Sequence, residues 1–170
     1  HFNILYFFLP RGDRIIYIGS QYGGWKIRPS VLTEETVVYS VGLGEDISFD
    51  EGLINQYNLK VWGYDPTEKA GIYVNKRLKA SSALRSNFNY AQEGLSTIKG
   101  IVEFTKPVNP NHVSLRPGKK AGLGEVIRLP VNTLENWMKR NGHTKVDILK
   151  IDIDSGEYDL LENWLERSFF

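Results

Sequence analysis

The apolar residues of the chain fall into short runs that alternate between strand-like and helix-like spacing. Residues 37–41 are β-branched, aromatic or small, which favours a buried strand. Phe49, Leu53 and Tyr57 then recur at helical spacing, and residues 60–64 predict a second short strand. A strand, a helix and a further strand in this order indicate an α/β fold.

The same alternation continues along the rest of the chain. Capping-box patterns, in which a glutamate follows three residues after a capping side chain, predict helix starts at Ser48, Asp65 and Asn132. Two more strands of the main sheet are predicted at residues 88–92 and 146–154. Proline and glycine turns separate short strands that predict an antiparallel extension beside that sheet, at residues 98–104, 112–116 and 125–131.

A glycine turn follows the first main strand, and an acid follows the second. Gly42 and Gly44 allow a tight turn and let a ligand approach the backbone closely. Asp65 lies about one βαβ half-unit after Gly44, where nucleotide-binding α/β folds place an acid that hydrogen-bonds ribose hydroxyls. The third glycine of the dinucleotide pattern is absent. The order of these features predicts a ligand that contains a nucleoside.

The charges around this turn bear on which nucleoside binds. Four acids crowd the turn and the first turn of the following helix: Glu45, Asp46, Asp50 and Glu51. A pyrophosphate prefers free backbone N–H groups without nearby anions, whereas S-adenosylmethionine carries a sulfonium, an ammonium and no phosphate. Acids also favour any helix N-terminus through the macrodipole, so both explanations stay open.

Composition narrows the class of protein. The 170 residues predict one domain, in which residues 1–30 form an N-terminal segment packed on a core of residues 31–170. A net charge of +1 argues against a nucleic-acid partner, and the absence of cysteine excludes thiol chemistry. No apolar run is long enough to cross a bilayer. We expect a cytoplasmic protein, but the first residue is His1, so an upstream anchor or signal stays an alternative.

A glycine-rich loop with two aromatic residues, Tyr22-Gly23-Gly24-Trp25, lies near the start of the chain. It is typical of a turn with a packed tryptophan. It is equally typical of a lid over a ligand, because glycines allow close approach and aromatic rings stack on ligand rings. The sequence leaves both interpretations open.

The fourth main strand becomes acidic at its carboxyl end. Lys150 and Asp152 share one face by period-two spacing. Charges at the end of a buried strand are costly unless they are paired or serve a function. Ligands of open α/β sheets bind at the carboxyl ends of strands. We therefore expect Asp152 to face the turn at Gly42 and to act as a base, with a buried Lys150–Asp152 ion pair as the alternative.

Two other groups of polar residues are candidates for chemistry. His112 lies in a proline-rich loop and is the second candidate for a general base. Asp152, Asp154 and Glu157 are close enough in sequence to hold a hard cation, but three acids in six residues are weak evidence. No cluster of histidine or cysteine suggests zinc, so we expect no metal.

Three stretches resemble the FkbM-type family of S-adenosylmethionine-dependent methyltransferases, namely residues 38–50, 61–67 and 150–157. The loop that ends at Trp25 also recurs in relatives of this kind. The resemblance covers most of residues 19–165 and implies a Rossmann-like methyltransferase sheet in three α/β/α layers. Asp154-Ser155-Gly156 replaces the usual Glu-Gly-Ala, which is a departure from the family pattern.

The resemblance also implies roles for single residues. The glycine turn and Glu45 would hold the methionine part of the cofactor, and Asp65 would bind the ribose. Glu93 and Gly94 would lie near adenine, and Asp152 would lie beside cofactor and acceptor. With their neighbours, the predicted cofactor-binding residues are Tyr22, Gly23, Gly42, Gly44, Glu45, Ser48, Asp65, Pro66, Glu93, Gly94 and Asp152.

The family implies O-methylation of a hydroxyl on a sugar or secondary metabolite, with Asp152 or His112 as the base. On this view Asp65→Ala weakens cofactor binding and leaves the fold largely intact. Two alternatives are a non-catalytic module that binds a nucleoside or a protein, and a nicotinamide-dependent oxidoreductase. The missing third glycine and the acidic rim argue against the oxidoreductase.

The family sheet normally continues with three more strands after strand four. The resemblance therefore implies a sheet truncated after strand four and its helix, with part of the acceptor site missing. A bare strand four would be an exposed edge that is prone to aggregation. We expect a partner or a second copy of the chain to cover it, unless the chain is a fragment or departs from the family fold.

Overall fold

The computed structural model describes residues 14–105, 116–117, 125–153 and 157–167. In these ranges the strands are β1 (Ile16–Ile18), β2 (Trp25–Ile27), β3 (Val38–Val41), β4 (Val61–Tyr64), β5 (Phe88–Ala91), β6 (Gly94–Leu95), β7 (Gly100–Thr105), β8 (Arg116–Pro117), β9 (Val126–Asn132) and β10 (Ile148–Ile151). The α-helices are α1 (Ser48–Tyr57), α2 (Glu68–Ala80), α3 (Ser82–Asn87), α4 (Leu134–Asn141) and α5 (Glu157–Glu166), and Pro29–Val31 form a 3₁₀ turn. None of the described helices is both long enough and apolar enough to span a bilayer.

The main sheet has four parallel strands in the order β10-β3-β4-β5. Val38, for example, is level with Ile148 on one side and Val61 on the other. Parallel strands need crossover connections, and α1 and α2 with α3 supply them between the first three strands in chain order. The predicted α/β fold with a parallel sheet is confirmed.

Helices cover both faces of this sheet. Val38 and Val61 belong to a core cluster with residues of α1, α2 and α3. Tyr39, Val41 and Tyr64 belong to a second cluster with residues of α4 and α5. Successive side chains of a strand point to opposite faces, so the two clusters lie on opposite sides of the sheet. The finer assignment to a Rossmann-like methyltransferase sheet stays a prediction.

The three predicted helix starts are wrong by one or two residues. Ser48 is the first residue of α1 and makes no cap, because its hydroxyl accepts a hydrogen bond from the backbone of Ser20. Thr67 caps α2 in place of Asp65, and Thr133 caps α4 in place of Asn132. In both cases a threonine follows the predicted cap closely and its hydroxyl takes the cap hydrogen bond.

A short helix that the sequence pattern missed lies between α2 and β5. Helix α2 runs to Ala80, and α3 begins at Ser82. Ser81 is extended, which breaks the helix, and its hydroxyl accepts from the amide of Leu84 to start the next one. The pair Ser81-Ser82 therefore marks the start of a second helix, and not only the end of the first.

The antiparallel extension is present as a second four-stranded sheet with the order β6-β9-β7-β8. β7 pairs antiparallel with both β8 and β9, whereas the two-residue β6 pairs parallel with β9. The predicted strand at residues 112–116 and the candidate base His112 lie outside the described residues, apart from Arg116 in β8.

The described part of the N-terminal segment begins with a two-stranded antiparallel hairpin, β1 and β2. Ile18 and Ile27 of this hairpin are buried in the same cluster as Leu53 of α1. The hairpin therefore shares the core of the main sheet. The proposed boundary between residues 1–30 and 31–170 stays a prediction.

Candidate active site

The strand order defines a switch point at the carboxyl edge of the main sheet. From β3 the chain moves to β4 on one side, and after β5 it returns to β10 on the other side of β3. Ligands of open α/β sheets bind outside the carboxyl ends of strands where the order reverses in this way. The turn after β3, which contains Gly42 and Gly44, and Asp152 after β10 lie at this point.

Gly42 is held between its two neighbouring strands. Its N–H donates to the Tyr64 carbonyl (3.0 Å), and the Asp152 N–H donates to Val41 (3.0 Å). Gly42 has φ 76°, and a Cβ added to it would overlap the Asp152 carbonyl oxygen. Only glycine satisfies both conditions. The backbone of Asp152 thus lies against the turn, and its side chain is exposed.

Gly44 has the same left-handed backbone but different surroundings. Its φ is 53°, and a Cβ added to it would meet no described atom within 4 Å. With respect to the described residues, one face of the turn is therefore open to an incoming ligand, whereas the Gly42 face is closed by the next strand.

Asp65 holds this turn with its carboxylate, which is almost completely buried. Oδ2 accepts from the amides of Leu43 and Gly44, each at 3.0 Å. Oδ1 accepts from the amide and the hydroxyl of Thr67, at 2.9 and 2.6 Å. Because a carboxylate has about four acceptor positions, Asp65 has none to spare in this structure. Its contact with ribose stays a prediction. Such a contact would require one of the hydrogen bonds from Thr67 or from the turn to break.

The predicted adenine-side residues lie next to the end of β4. A Cβ added to Gly94 would be 3.2 Å from Cγ of Pro66, so the two are in close proximity. Glu93 accepts from Nε1 of Trp137 (2.6 Å) and from Arg140 (2.9 Å) on α4. Partial burial alone would raise the pKa of Glu93, but the hydrogen bonds from Arg140 and Trp137 outweigh this effect, so the pKa is lowered. The carboxylate of Glu93 therefore anchors α4.

The glycine-rich loop lies against the start of α1. Ser20 donates its amide to Oγ of Ser48 (2.6 Å) and its hydroxyl to Asp46, and it accepts from the amide of Gly23. A Cβ on Gly23 would collide with the Asp46 carboxylate, while the side chain of Tyr22 is exposed. The structure shows a packed turn that borders the glycine turn, and a lid movement stays a prediction.

Three of the four acids around the turn, Glu45, Asp46 and Glu51, have partners that compensate their charge. Glu45 pairs with Lys69 at 2.6 Å, and Glu51 forms a bidentate pair with Arg77. Partial burial alone would raise the pKa of Asp46, but hydrogen bonds from Ser20 and Ser48 lower it. The acidic rim is therefore mostly neutralised within the protein, and charge alone does not select a cationic ligand.

A comparison with protein families decides the class of the chain. The model of the methyltransferase FkbM domain matches residues 32–169, which is most of the sequence. The chain belongs to the FkbM methyltransferase family. The family assignment made from the three sequence stretches is confirmed. Neither the comparison with curated proteins nor that with solved structures gave a match.

Membership in the FkbM family supports methyltransferase activity, and a methyltransferase needs a methyl donor. The glycine turn, Asp65 and Asp152 all fall within the matched residues. The match does not cover the glycine-rich loop at Tyr22. The role of each residue toward a donor or an acceptor stays a prediction.

This FkbM domain also contains a buried polar cluster that the sequence interpretation missed. Asp50 of α1 is fully buried, and Ser40 of β3 and Lys150 of β10 are buried beside it. Lys150 Nζ donates to the Gly42 carbonyl at 3.0 Å and lies 5.9 Å from the centre of the Trp25 ring. A signal for Asp50 existed, since it precedes Leu53 and Ile54 by three and four residues and so shares their buried face.

Burial raises the pKa of Asp50 to about 6, and Lys150 and the Ser40 hydroxyl limit the rise. Among the described residues, neither carboxylate oxygen of Asp50 nor Oγ of Ser40 has a hydrogen-bond partner of good geometry. The carboxyl group that faces Lys150 from α1 is that of Asp50, whereas Asp152 is exposed. A pair between Lys150 and Asp152 stays a prediction.

The titration of Asp50 predicts how stability depends on pH. Between the ordinary value of 3.8 and about 6, the folded chain keeps a proton that the unfolded chain has lost. The free energy of unfolding of the wild type should therefore fall over this window, relative to Asp50→Asn, by on the order of 3 kcal/mol. Urea unfolding of both proteins at several pH values measures the difference, which also cancels the contributions of other carboxylates. Parallel curves would contradict the assignment.

The described residues contain no group of three or more His, Cys, Asp or Glu that could hold a metal ion. Of the three acids considered for a cation, Asp154 lies outside the described residues. Oε1 of Glu157 accepts from the amide of Ile153 at 3.1 Å, a return contact of the kind found in capping boxes. Glu157 therefore has a structural role at the start of α5.

Proposed function

We propose that the chain is an S-adenosylmethionine-dependent methyltransferase that methylates a hydroxyl of a sugar or other small acceptor. The observation that supports this most is that the backbone amides of the glycine turn already have an acceptor within the protein. The face of the turn at Gly44 is open, but the amides of Leu43 and Gly44 both donate to Asp65. A pyrophosphate needs such amides free, so the turn favours a nucleoside ligand without phosphate.

The residues present fit such a donor. The open face of Gly44 offers close approach to the backbone. Glu45 lies half-exposed beside it and would exchange its pairing with Lys69 for the ammonium or sulfonium group. Pro66 and Gly94 border the end of β4, where an apolar surface suits a base. In the proposal Tyr22, Gly23 and Ser48 line the opposite side, and Asp65 supports the turn from behind.

S-adenosylmethionine would supply an electrophilic methyl group, which passes to the acceptor oxygen as the sulfonium becomes a neutral thioether. The protein has to align the acceptor with this group and to accept the hydroxyl proton. Asp152 is the proposed base because its exposed carboxylate follows β10 directly, beside the Gly42 turn. His112 is the second candidate.

Asp152→Asn tests the role of the base. Loss of a general base should reduce kcat about 100-fold, while the dissociation constant of S-adenosylmethionine changes little. Asp159→Asn, which removes an exposed acid of α5, is the matched control and should leave kcat unchanged. Transfer of a labelled methyl group to a panel of hydroxyl compounds measures kcat.

Full activity in Asp152→Asn would remove Asp152 from the mechanism and direct the same assay to His112→Gln. Binding of S-adenosylmethionine by the wild type without transfer to any hydroxyl compound would support the non-catalytic binding module.

A further inference from the structure

We propose that Lys150 is a positioning residue for the methyl donor, with Asp50 as its buried counter-charge. The inference rests on the proposed function, since it concerns the same glycine turn. It assigns a task to two charged groups that the proposed methyl transfer does not itself use.

The two charges are costly where they lie. Lys150 is only 7% exposed, and Asp50 is fully buried between α1 and the sheet. A buried ion pair often gives less stability than apolar residues of the same size. Core packing therefore does not explain why this position of β10, between Leu149 and Ile151, is a lysine.

The geometry directs the lysine toward the turn. Lys150 is level with Ser40 on the neighbouring strand, so both side chains point to the face that α1 covers. From there Nζ reaches past the end of β3 and donates to the Gly42 carbonyl at 3.0 Å. The Trp25 ring at 5.9 Å supports the same ammonium by a cation–π contact.

Lys150 completes the contacts that fix this peptide. The Gly42 N–H is held by β4, its Cα is pressed against Asp152, and its carbonyl is held by Lys150. The next two amides are held by Asp65. Removal of Lys150 frees the carbonyl side of Gly42 alone, so the turn that carries the open Gly44 face loosens while the strands stay paired.

Asp50 supplies a buried carboxyl group of opposite charge beside the ammonium. Its carboxylate makes no direct hydrogen bond with a described residue, so it acts on Lys150 through its field. The tryptophan, the carbonyl and the carboxylate surround the ammonium from three different elements. This arrangement limits its movement and fixes the direction of the hydrogen bond to Gly42.

Calorimetric titration of S-adenosylmethionine into the wild type and four variants tests the inference. Lys150→Met removes the charge and keeps an unbranched side chain only one atom shorter, and we expect the dissociation constant of this variant to rise about tenfold. Lys150→Arg keeps a cation and should recover part of the affinity. Arg77→Met removes a different ion pair from α1, away from the turn, and should bind as the wild type does.

The double variant Asp50→Asn/Lys150→Met separates positioning from folding, because it removes both buried charges together. We expect it to fold, by circular dichroism, and still to bind about tenfold more weakly. Wild-type affinity in either lysine-to-methionine variant would overturn the inference alone. Failure of both to fold would also overturn it, because the pair would then be required for folding. A folded wild type that does not bind would overturn the proposed function and this inference with it.

Discussion

Gly42→Ala is expected to lower the free energy of unfolding by about 4 kcal/mol, because backbone strain and steric overlap act together. The residue has φ 76°, which L-residues adopt only with strain, and the new methyl group would overlap the Asp152 carbonyl. The strands β3 and β10 would have to move apart at the switch point. Urea denaturation measures the change, and a chain that does not fold is the extreme of the same result.

Gly44→Ala is the matched control for this substitution. It lies two residues away with φ 53°, but its Cβ would meet no described atom within 4 Å. The free energy of unfolding of Gly44→Ala should therefore fall by only about 1 kcal/mol, which is the cost of backbone strain alone. An equal fall in the free energy of unfolding of the two variants would show that backbone strain alone destabilises them. Steric overlap with the residue after β10 would then make no contribution.

Asp65→Ala is expected to lower the free energy of unfolding by about 4 kcal/mol, because four hydrogen bonds to one buried carboxylate are lost. The amides of Leu43 and Gly44 would be left without their acceptor. This expected loss differs from the sequence-based expectation that the fold stays largely intact, and the urea experiment decides between them. Weaker donor binding in this variant would therefore not by itself identify a ribose contact.

Asp65→Asn separates the two roles of this residue. Its amide oxygen can still accept from the turn, and the Thr67 hydroxyl can rotate to accept from its NH₂ group. The Thr67 amide alone loses its acceptor, so the loss should be about 1–2 kcal/mol. If Asp65→Asn folds and its donor affinity is unchanged, the ribose assignment is wrong. If Asp65→Ala proves as stable as the wild type, the carboxylate does not hold the turn.

The strands and the family were predictable because their signals are local. The runs at 37–41 and 60–64, the glycines between them and the acid after them define the sheet and the turn within about thirty residues. The strand before Asp152 was also predictable, and β10 ends at Ile151, directly before this residue. Helix caps were missed by one or two residues because Thr67 and Thr133 compete with the polar residues before them.

The roles of the acids were not predictable from local patterns, since their partners come from distant parts of the chain. Asp65 reaches back to Leu43, Glu93 reaches forward to Trp137, and Asp50 of α1 faces Lys150 of β10. A run of acids in sequence suggests a negative rim, but only the fold shows that Glu45 and Glu51 meet Lys69 and Arg77. Which carboxylate serves structure and which serves chemistry is decided by these tertiary contacts.

The most direct test of the central claim is calorimetric titration of the purified wild-type chain with S-adenosylmethionine, with NAD as the control. We expect micromolar binding of S-adenosylmethionine and none of NAD, because the amides that a pyrophosphate needs are held by Asp65. Circular dichroism of the same sample establishes that the chain is folded. Preference for NAD, or no binding of S-adenosylmethionine by the folded chain, would contradict the account.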